Sequence, residues 1–367
     1  MRRFLPLLLV ICLQACGSGP KPGVGDAMAW NDLEGWTKDN QASAWEALLG
    51  SCGRIGDRPP WREVCRSAAG IERPTNEQVR AFFEKHFRPH PVHGQKGHRE
   101  GLITGYYEPL LHGSFERGPR YRYPIYAPPD DLLTVDLGTV YPALAGQQLR
   151  GRLDGRTVLP YPDRAELEAH PGELAGSELL WVDDPVDLFF LQVQGSGRVL
   201  LPDGRTVAVR YADNNGRPYR SIGKRLIETG RIPRERVNLF TIRSWLHRHP
   251  DEARELLRYN PRYVFFRLMR DAPVSPEGSL GVSLTPGRSL AVDKNKIPLG
   301  APVWLQTSMP GQPDKPLNRL MLAQDTGTAI RGYNRADVFW GEGDDAERWA
   351  GLMKQKGQLF VLLPVGE

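Results

Sequence analysis

Three carboxyl groups stand out in the C-terminal part of the chain: Asp293 in SLAVDKNKIPLG, and Asp325 and Asp337 in RLMLAQDTGTAIRGYNRADVFWG. Each lies at the margin of an apolar run and beside turn-forming Gly, Asn or Thr, where a strand gives way to a loop. Carboxylates at the ends of a rigid scaffold suit acid and base work. A carboxyl followed by Val338, Phe339 and Trp340 would be pushed toward its protonated form by apolar surroundings, and a second carboxylate nearby would push the same way. Aspartate is also a good turn residue for structural reasons alone. The clustering of three in one segment points to a site.

Two further runs offer stacking and hydrogen-bonding groups. LITGYYEPLL reads as a strand from its β-branched and aromatic content and carries Tyr106, Tyr107 and Glu108; such tyrosines either stack on sugar rings or fill a core. QVQGSGR puts Gln192 and Gln194 on alternate positions, hence on one face of an expected strand, just before a turn at Gly195, Ser196 and Gly197. Amides and exposed backbone N–H groups bond well to sugar hydroxyls. A phosphate cradle is disfavoured, since GSG lacks the Lys and Ser/Thr of a P-loop. His86, His90, His93 and His98 crowd one stretch without a carboxylate or cysteine partner at metal-binding spacing, so a solvated loop is expected. No metal or organic cofactor is implied.

The elements that must position these groups follow from periodicity. Trp36, Trp45, Leu48 and Leu49 suggest one helix. Val79, Phe82, Phe83 and Phe87 suggest a second, opened by Thr75 with Gln78 three residues on as a capping box. Both are expected to pack on a sheet. Between about 113 and 260, short strand-like runs such as LFFLQVQGSGRVLL are followed by helices at 222–228, 241–249 and 250–260. Apolar strands then resume, interrupted by one helix at 345–356 with Trp349, Leu352 and Met353 as its buried stripe and Gly357 as its stop. Many short strands with one late crossing helix predict a mainly β protein with peripheral helices, its core a closed barrel rather than a sandwich.

Hydrophobic residues at 40% and charged residues at 25% are globular values, while 39 Gly and 32 Pro imply a turn-rich body. The formal charge of +5 includes Arg2 and Arg3, and no basic stripe with interleaved aromatics occurs, so nucleic acid is not an expected partner. Those two arginines open a leader whose apolar run, 4–13, is too short to span a bilayer. It ends in Leu13-Gln14-Ala15-Cys16, a lipobox apart from Gln14. The expectation is a lipoprotein signal peptide at 1–15, lipidation of Cys16 and a flexible tether at 16–25; an ordinary cleaved secretory signal is the alternative. Cys52 and Cys65 are then the remaining pair in an oxidising compartment, and a disulfide is expected.

GYYEP at Gly105, QVQGSG at Gln192, YNPRYVFFR at Tyr259, VDKNKIPLG at Val292, DTGTAI at Asp325 and ADVFWG at Ala336, in this order after a lipobox, resemble the membrane-bound lytic murein transglycosylase A family. The last segment is similar to its three-aspartate domain. Two departures are local: Thr328 stands where a second glycine is common, and Ala336 replaces an aromatic before Asp337. The resemblance implies a double-psi β-barrel built from 26–112 and 261–367, a smaller β-domain inserted at 113–260, and a groove between them that holds a peptidoglycan glycan strand. It implies cleavage of the β-1,4 bond between N-acetylmuramic acid and N-acetylglucosamine with formation of 1,6-anhydro ends. Asp337 would be the catalytic carboxyl, positioned by Asp325 and Asp293, with Tyr106, Tyr107, Glu108, Gln192, Gln194, Gly195, Ser196 and Trp340 on the glycan. The expected location is the periplasmic face of the outer membrane, held by the lipid, with the cell-wall synthesis machinery as a further partner. Two other readings compete. DTGT at Asp325 matches the core of an aspartic protease motif, which needs a second copy that this chain lacks. An expansin-like protein would bind wall glycan and break no bond.

Overall fold

The structure, a computed structural model, describes residues 21–145, 149–269 and 275–366. The expected leader at 1–15, Cys16 and the first part of the tether lie outside the described residues. Six strands close into a ring. In order around it they are Lys354–Pro364, Pro302–Met309, Gln312–Asp325, Ser289–Val292, Ala336–Glu342 and Gly101–Glu108, which pairs back onto the start of Lys354–Pro364. Two of these contacts are parallel, Ser289–Val292 with Gln312–Asp325 and Ala336–Glu342 with Gly101–Glu108. Closure leaves the ring without open edges. Ile103, Leu290, Val292, Val303, Leu322, Val338 and Val361 are all buried in its core.

The N-terminal helices cover this barrel much as their periodicity predicts. Trp45–Ile55 and Asn76–His86 bury Trp45, Leu48, Val79 and Phe83, and Thr75 and Gln78 close the expected capping box. Trp36 belongs to a separate 3₁₀ turn, Trp36–Lys38, because Gly35 at φ 76° breaks the chain direction ahead of it; its ring meets Trp304 edge-on at 5.1 Å. A helix at Trp61–Ala69, absent from the sequence reading, is tied to Trp45–Ile55 by the Cys52–Cys65 disulfide.

Several expectations are corrected here. The histidine-rich stretch is largely no loop: His86 ends the helix Asn76–His86, Phe87–His93 is a strand paired with Lys354–Pro364, its alternation hidden by Pro89 and Pro91, and only His98 lies beyond it. Gly23–Val24 pairs with Val92 and His93, so the expected tether is already ordered sheet before residue 25. LFFLQVQ is no strand either. Pro185–Gln194 is an α-helix, because Asp184 accepts from the Val186 and Asp187 amides, Pro185 occupies the first helical position, and Gly195 at φ 82° ends it. The late helix is Gly343–Leu352, burying Ala346 and Ala350 with Met353 just past its end, and Gly357 lies inside the last strand.

A second sheet runs in the order Val264–Met269, Thr206–Asn214, Ser196–Leu200, Leu110–Ser114, Glu178–Val182, Tyr123–Tyr126. It begins before residue 113 and continues past 260, so the smaller unit is wider than the limits read from composition. The chain crosses into it at Pro109, where Gly101–Glu108 of the barrel gives way to Leu110–Ser114. Helices Ile222–Glu228, Leu239–Arg248 and Pro250–Arg258 flank it.

One buried ion pair pins the N-terminal segment to the barrel. Arg288 donates to both Asp39 oxygens at 2.7 and 3.0 Å and to the Asn40 and Leu320 carbonyls, with both side chains almost fully buried. Removing the carboxylate strands a guanidinium in low dielectric. Asp39→Ala is therefore expected to cost about 3–5 kcal/mol of stability in a urea titration; a loss under about 1 kcal/mol would show that the pair is solvated.

Candidate active site

Strand Ser289–Val292 brings the aspartates together, parallel to Gln312–Asp325 on one side and antiparallel to Ala336–Glu342 on the other. Ala291 is the register partner of Asp325 on one side and of Asp337 on the other, and Asp337 is in turn the partner of Thr104. Residues in one row across a sheet share a face, so Asp325, Ala291, Asp337 and Thr104 form a line, with the two aspartate Cα atoms two strand spacings, roughly 10 Å, apart. The row depends on an irregularity. Between Leu290 and Ala291 the register skips Gln324, placing Asp325 in the row, while Gln324 turns inward to bond Ala47 and Ser51. Bulges beside active sites re-aim side chains in this way.

Asp337 is half-buried. Its Oδ1 accepts from the Thr104 hydroxyl at 2.7 Å, and Arg335 Nη2 donates to the same hydroxyl oxygen at 2.8 Å. The guanidinium therefore occupies a lone pair of Thr104 and leaves its proton directed at Asp337. Burial pushes the Asp337 carboxyl above the ordinary 3.8, the charge of Arg335 and the Thr104 bond pull it back, and Asp325 adds to the rise. Asp325 is braced on both oxygens. Oδ1 accepts from the amide and hydroxyl of Ser279, each at 2.9 Å, and Oδ2 from the Tyr106 hydroxyl at 2.8 Å. Burial raises this carboxyl as well, against the pull of those donors. Tyr106 is pushed well above its usual range by burial and by Asp325, so it acts as a neutral donor.

Asp293 follows the end of Ser289–Val292 and stands outside the row. Its Oδ1 accepts from the Asn295 amide and its Oδ2 from the Gly332 amide at 2.9 Å, which fastens the loop between Asp325 and Asp337 to the barrel. Among the described residues, no group of three His, Cys, Asp or Glu side chains could hold a metal ion. A cavity of about 330 Å³ adjoins the row: Thr104, Met353 and Lys354 of the barrel face Phe189, Tyr219 and Ile242 of the second unit across it.

Most of the residues expected to touch a glycan serve the joint between the two units instead. Glu108 is 1% exposed, held by Arg210 and by Arg198 at 3.1 Å, with Arg198 also on Glu342 at 2.6 Å. The Tyr107 hydroxyl donates to Glu347 at 3.0 Å, and Arg243 bridges Glu347 to Asp187. Gln194 accepts from the Tyr107 amide at 3.2 Å. Gln192 is buried as the acceptor for Arg164, Gly195 caps the helix, and Ser196 opens the next strand opposite Arg210. Trp340 packs over Gly105, where an added Cβ would lie 2.7 Å from its Nε1, and that Nε1 points at the Met353 sulfur. Burial of one polar residue in each case answers a polar residue on a distant segment, which local pattern does not reveal. Of the eight, Tyr106 alone bonds to the aspartate row. Thr104, Arg335 and Ser279 were missed; Thr104 is legible in hindsight because it lies two residues before Tyr106 on the same strand face, Arg335 because it directly precedes the strand carrying Asp337, and Ser279 carries no signal.

The raised Asp337 carboxyl has a consequence for stability. Ionisation is easier in the unfolded chain, so the parent protein loses stability as pH rises from 3.8 through the folded value. Asn keeps the acceptor for Thr104 and does not ionise. Asp337→Asn is expected to melt at a higher temperature than the parent at pH 7, the gap closing below about pH 3.8; a lower melting temperature at pH 7 would contradict the desolvation argument.

Two family models match the chain: MltA specific insert domain over residues 102–267 and 3D domain over residues 288–363. Membrane-bound lytic murein transglycosylase A of Escherichia coli is 34% identical over 71% of this chain, and the chain spans 65% of that relative's length. The crystal structure of MltA from Neisseria gonorrhoeae in its monoclinic form superposes with a TM-score of 0.79 at 34% identity, covering 95% of this chain and 97% of that one. The E. coli MltA structure with bound chitohexaose superposes with a TM-score of 0.69 at 25% identity, covering 96% and 97%. Matched at this identity along nearly the full length of a solved relative, the chain belongs to the membrane-bound lytic murein transglycosylase A family.

Proposed function

We propose that the protein is a lytic transglycosylase that cleaves the β-1,4 bond between N-acetylmuramic acid and N-acetylglucosamine in peptidoglycan. The observation that carries the reading is Asp337 itself, a half-buried carboxyl with its ionisation pushed up, one oxygen fixed by Thr104 and the other without a hydrogen bond among the described residues. The named relatives and the β-1,4-linked oligosaccharide in the E. coli structure support the substrate class.

Asp337 in its acid form gives its proton to the glycosidic oxygen of the leaving N-acetylglucosamine as the bond from C1 of the muramyl ring breaks. The carboxylate so formed then takes the proton of that ring's own C6 hydroxyl, whose oxygen closes on C1. One proton is given and one returned, no water is consumed, and the product is a 1,6-anhydro end. A tethered hydroxyl has an effective molarity of roughly 10⁵ M or more, enough to outrun water in an open site. Asp325 and Asp293 act by position: Asp325 keeps Asp337 protonated as a nearby like charge, and Asp293 holds the loop that leads into it.

The anchoring belongs to the same reading. Cys16 carries lipid and holds the enzyme to the periplasmic face of the outer membrane, which agrees with relatives named membrane-bound; no helix among the described residues is long and apolar enough to cross a membrane.

Asp337→Asn is expected to lower release of anhydro-muropeptides from purified sacculi by about 10²–10⁴-fold or more, with a rate near the parent's sinking the assignment. Arg335→Gln removes a charge that favours the ionised form of Asp337. The alkaline limb of its pH–rate profile should therefore move to higher pH, and a shift to lower pH would overturn the assignment of that limb to Asp337. Products with reducing ends, 18 mass units heavier, would make the protein a hydrolase.

A further inference from the structure

A second cavity is distinct from the aspartate row. A cleft of about 970 Å³ opens in the second unit, walled by the edge strand Tyr123–Tyr126, by Glu178–Val182, and by helices Arg164–Ala169, Pro185–Gln194 and Pro250–Arg258. Its size is that of a ligand site. No barrel residue lines it, so it is no extension of the site around Asp337.

Its charges are unevenly spent. Asp183 is held by Arg120 at 2.9 Å, and Asp184 by His247 at 2.8 Å and by the amides it caps. Glu168 is shared by two guanidiniums, Arg258 at 2.8 Å and the buried Arg164 at 3.7 Å. Arg117, Arg122 and Arg254 also line the cleft, and among the described residues none of them has a carboxylate at ion-pair distance; Arg122 instead lies over the Tyr123 ring at 5.6 Å. Against these three stand Glu178 and the exposed Asp251. The cleft thus offers, among the described residues, three guanidiniums without a carboxylate against two carboxylates without a cation, Glu178 of these also accepting from the Gly176 amide at 2.7 Å, on a wall that includes Tyr123 and Trp181. That pattern fits an extended peptide bearing several carboxylates and fewer ammonium groups. A neutral glycan would leave the arginines unanswered.

We infer that this cleft binds the carboxylate-bearing stem peptide of peptidoglycan, holding the wall polymer at a second point while the glycan is cleaved at Asp337. The identity of the ligand rests on the peptidoglycan reading above; the cleft and its charges do not. A stem peptide carries free α-carboxylates and, on its diamino acid, one free amine. Its carboxylates meet Arg117, Arg122 and Arg254, and its amine meets Glu178 or Asp251.

The test is calorimetric titration of the full protein with the free tetrapeptide L-alanyl-γ-D-glutamyl-meso-diaminopimelyl-D-alanine, beside peptide-free chitohexaose as the neutral probe. Saturable peptide binding that weakens with added salt is expected, with a loss of at least about tenfold in affinity in the double variant Arg122→Gln, Arg254→Gln. The substituted side chains are exposed, and circular dichroism checks that the variant folds as the parent does. No peptide binding at millimolar concentration overturns the inference, as does equal binding by the variant. Chitohexaose binding that the same two substitutions abolish would make the cleft a saccharide site and overturn it equally. Release of anhydro ends from peptide-free glycan by the parent protein is measured separately. Its absence alongside intact peptide binding defeats the catalytic reading alone, and its presence alongside absent peptide binding defeats the cleft alone.

Discussion

The structure turns on keeping one carboxyl partly out of water without letting it collapse onto a cation. A desolvated acid beside Arg335 would ordinarily form an ion pair and lose its proton, the one the proposed reaction has it donate. Thr104 prevents this by standing between them: the guanidinium donates to the hydroxyl oxygen, and the hydroxyl donates to Asp337. The cation is near enough to orient the relay and bonds the carboxyl through an intermediary. Holding three side chains in that order requires two parallel neighbours in fixed register, Ala336–Glu342 against Gly101–Glu108, and the closed ring supplies it because neither strand has an edge free to slip.

The same strand that carries Thr104 and Tyr106 continues into the joint with the second unit, which couples the site to the placement of that unit. Glu108 and Tyr107, two and one residues beyond Tyr106, are locked into Arg198, Arg210, Arg243 and Glu347. Two guanidinium nitrogens of Arg210 and one of Arg243 are buried with no hydrogen-bond partner among the described residues, so these networks are not optimised for stability. What they provide is geometry. Breaking one partner would leave a buried charge uncompensated, so the wall of the cavity beside Thr104 stays where these contacts place it.

How much of this was legible depends on whether a signal is local. The capping box of Thr75 and Gln78, the helix Ile222–Glu228 and the strand carrying GYYE were readable because each is written within a few adjacent residues. The helix Pro185–Gln194 was misread as a strand although Asp184, Pro185 and Gly195 mark both its ends; a short apolar run is ambiguous by periodicity alone, and its flanking residues were the better guide. The aspartates were found by type and spacing, and the register that aligns Asp325 with Asp337 through Ala291 could not be, since it depends on a skipped residue at Gln324. Glu108 and Gln192 look like exposed recognition groups in sequence. Their partners, Arg210 and Arg164, lie 102 and 28 residues away.

The disposition of Asp325 bears on which chemistry the barrel can support. A glycosidase that hydrolyses its substrate needs a second carboxylate free to attack the sugar or to activate water, at a separation set by the route. Asp325 is close enough in the row to be considered. Its two oxygens, however, already accept from the Ser279 amide, the Ser279 hydroxyl and the Tyr106 hydroxyl, and the Thr326 amide also favours its ionised form. A carboxylate so engaged is a poor base, because each donor would have to be surrendered before a proton could be taken, and a poor nucleophile for the same reason. Its remaining influence on Asp337 is through charge, which raises the acid and leaves the attack on C1 to some other oxygen. On the reading proposed above, an intramolecular hydroxyl meets that need with no further group from the protein, and one available carboxyl beside one committed one is the arrangement that reading requires.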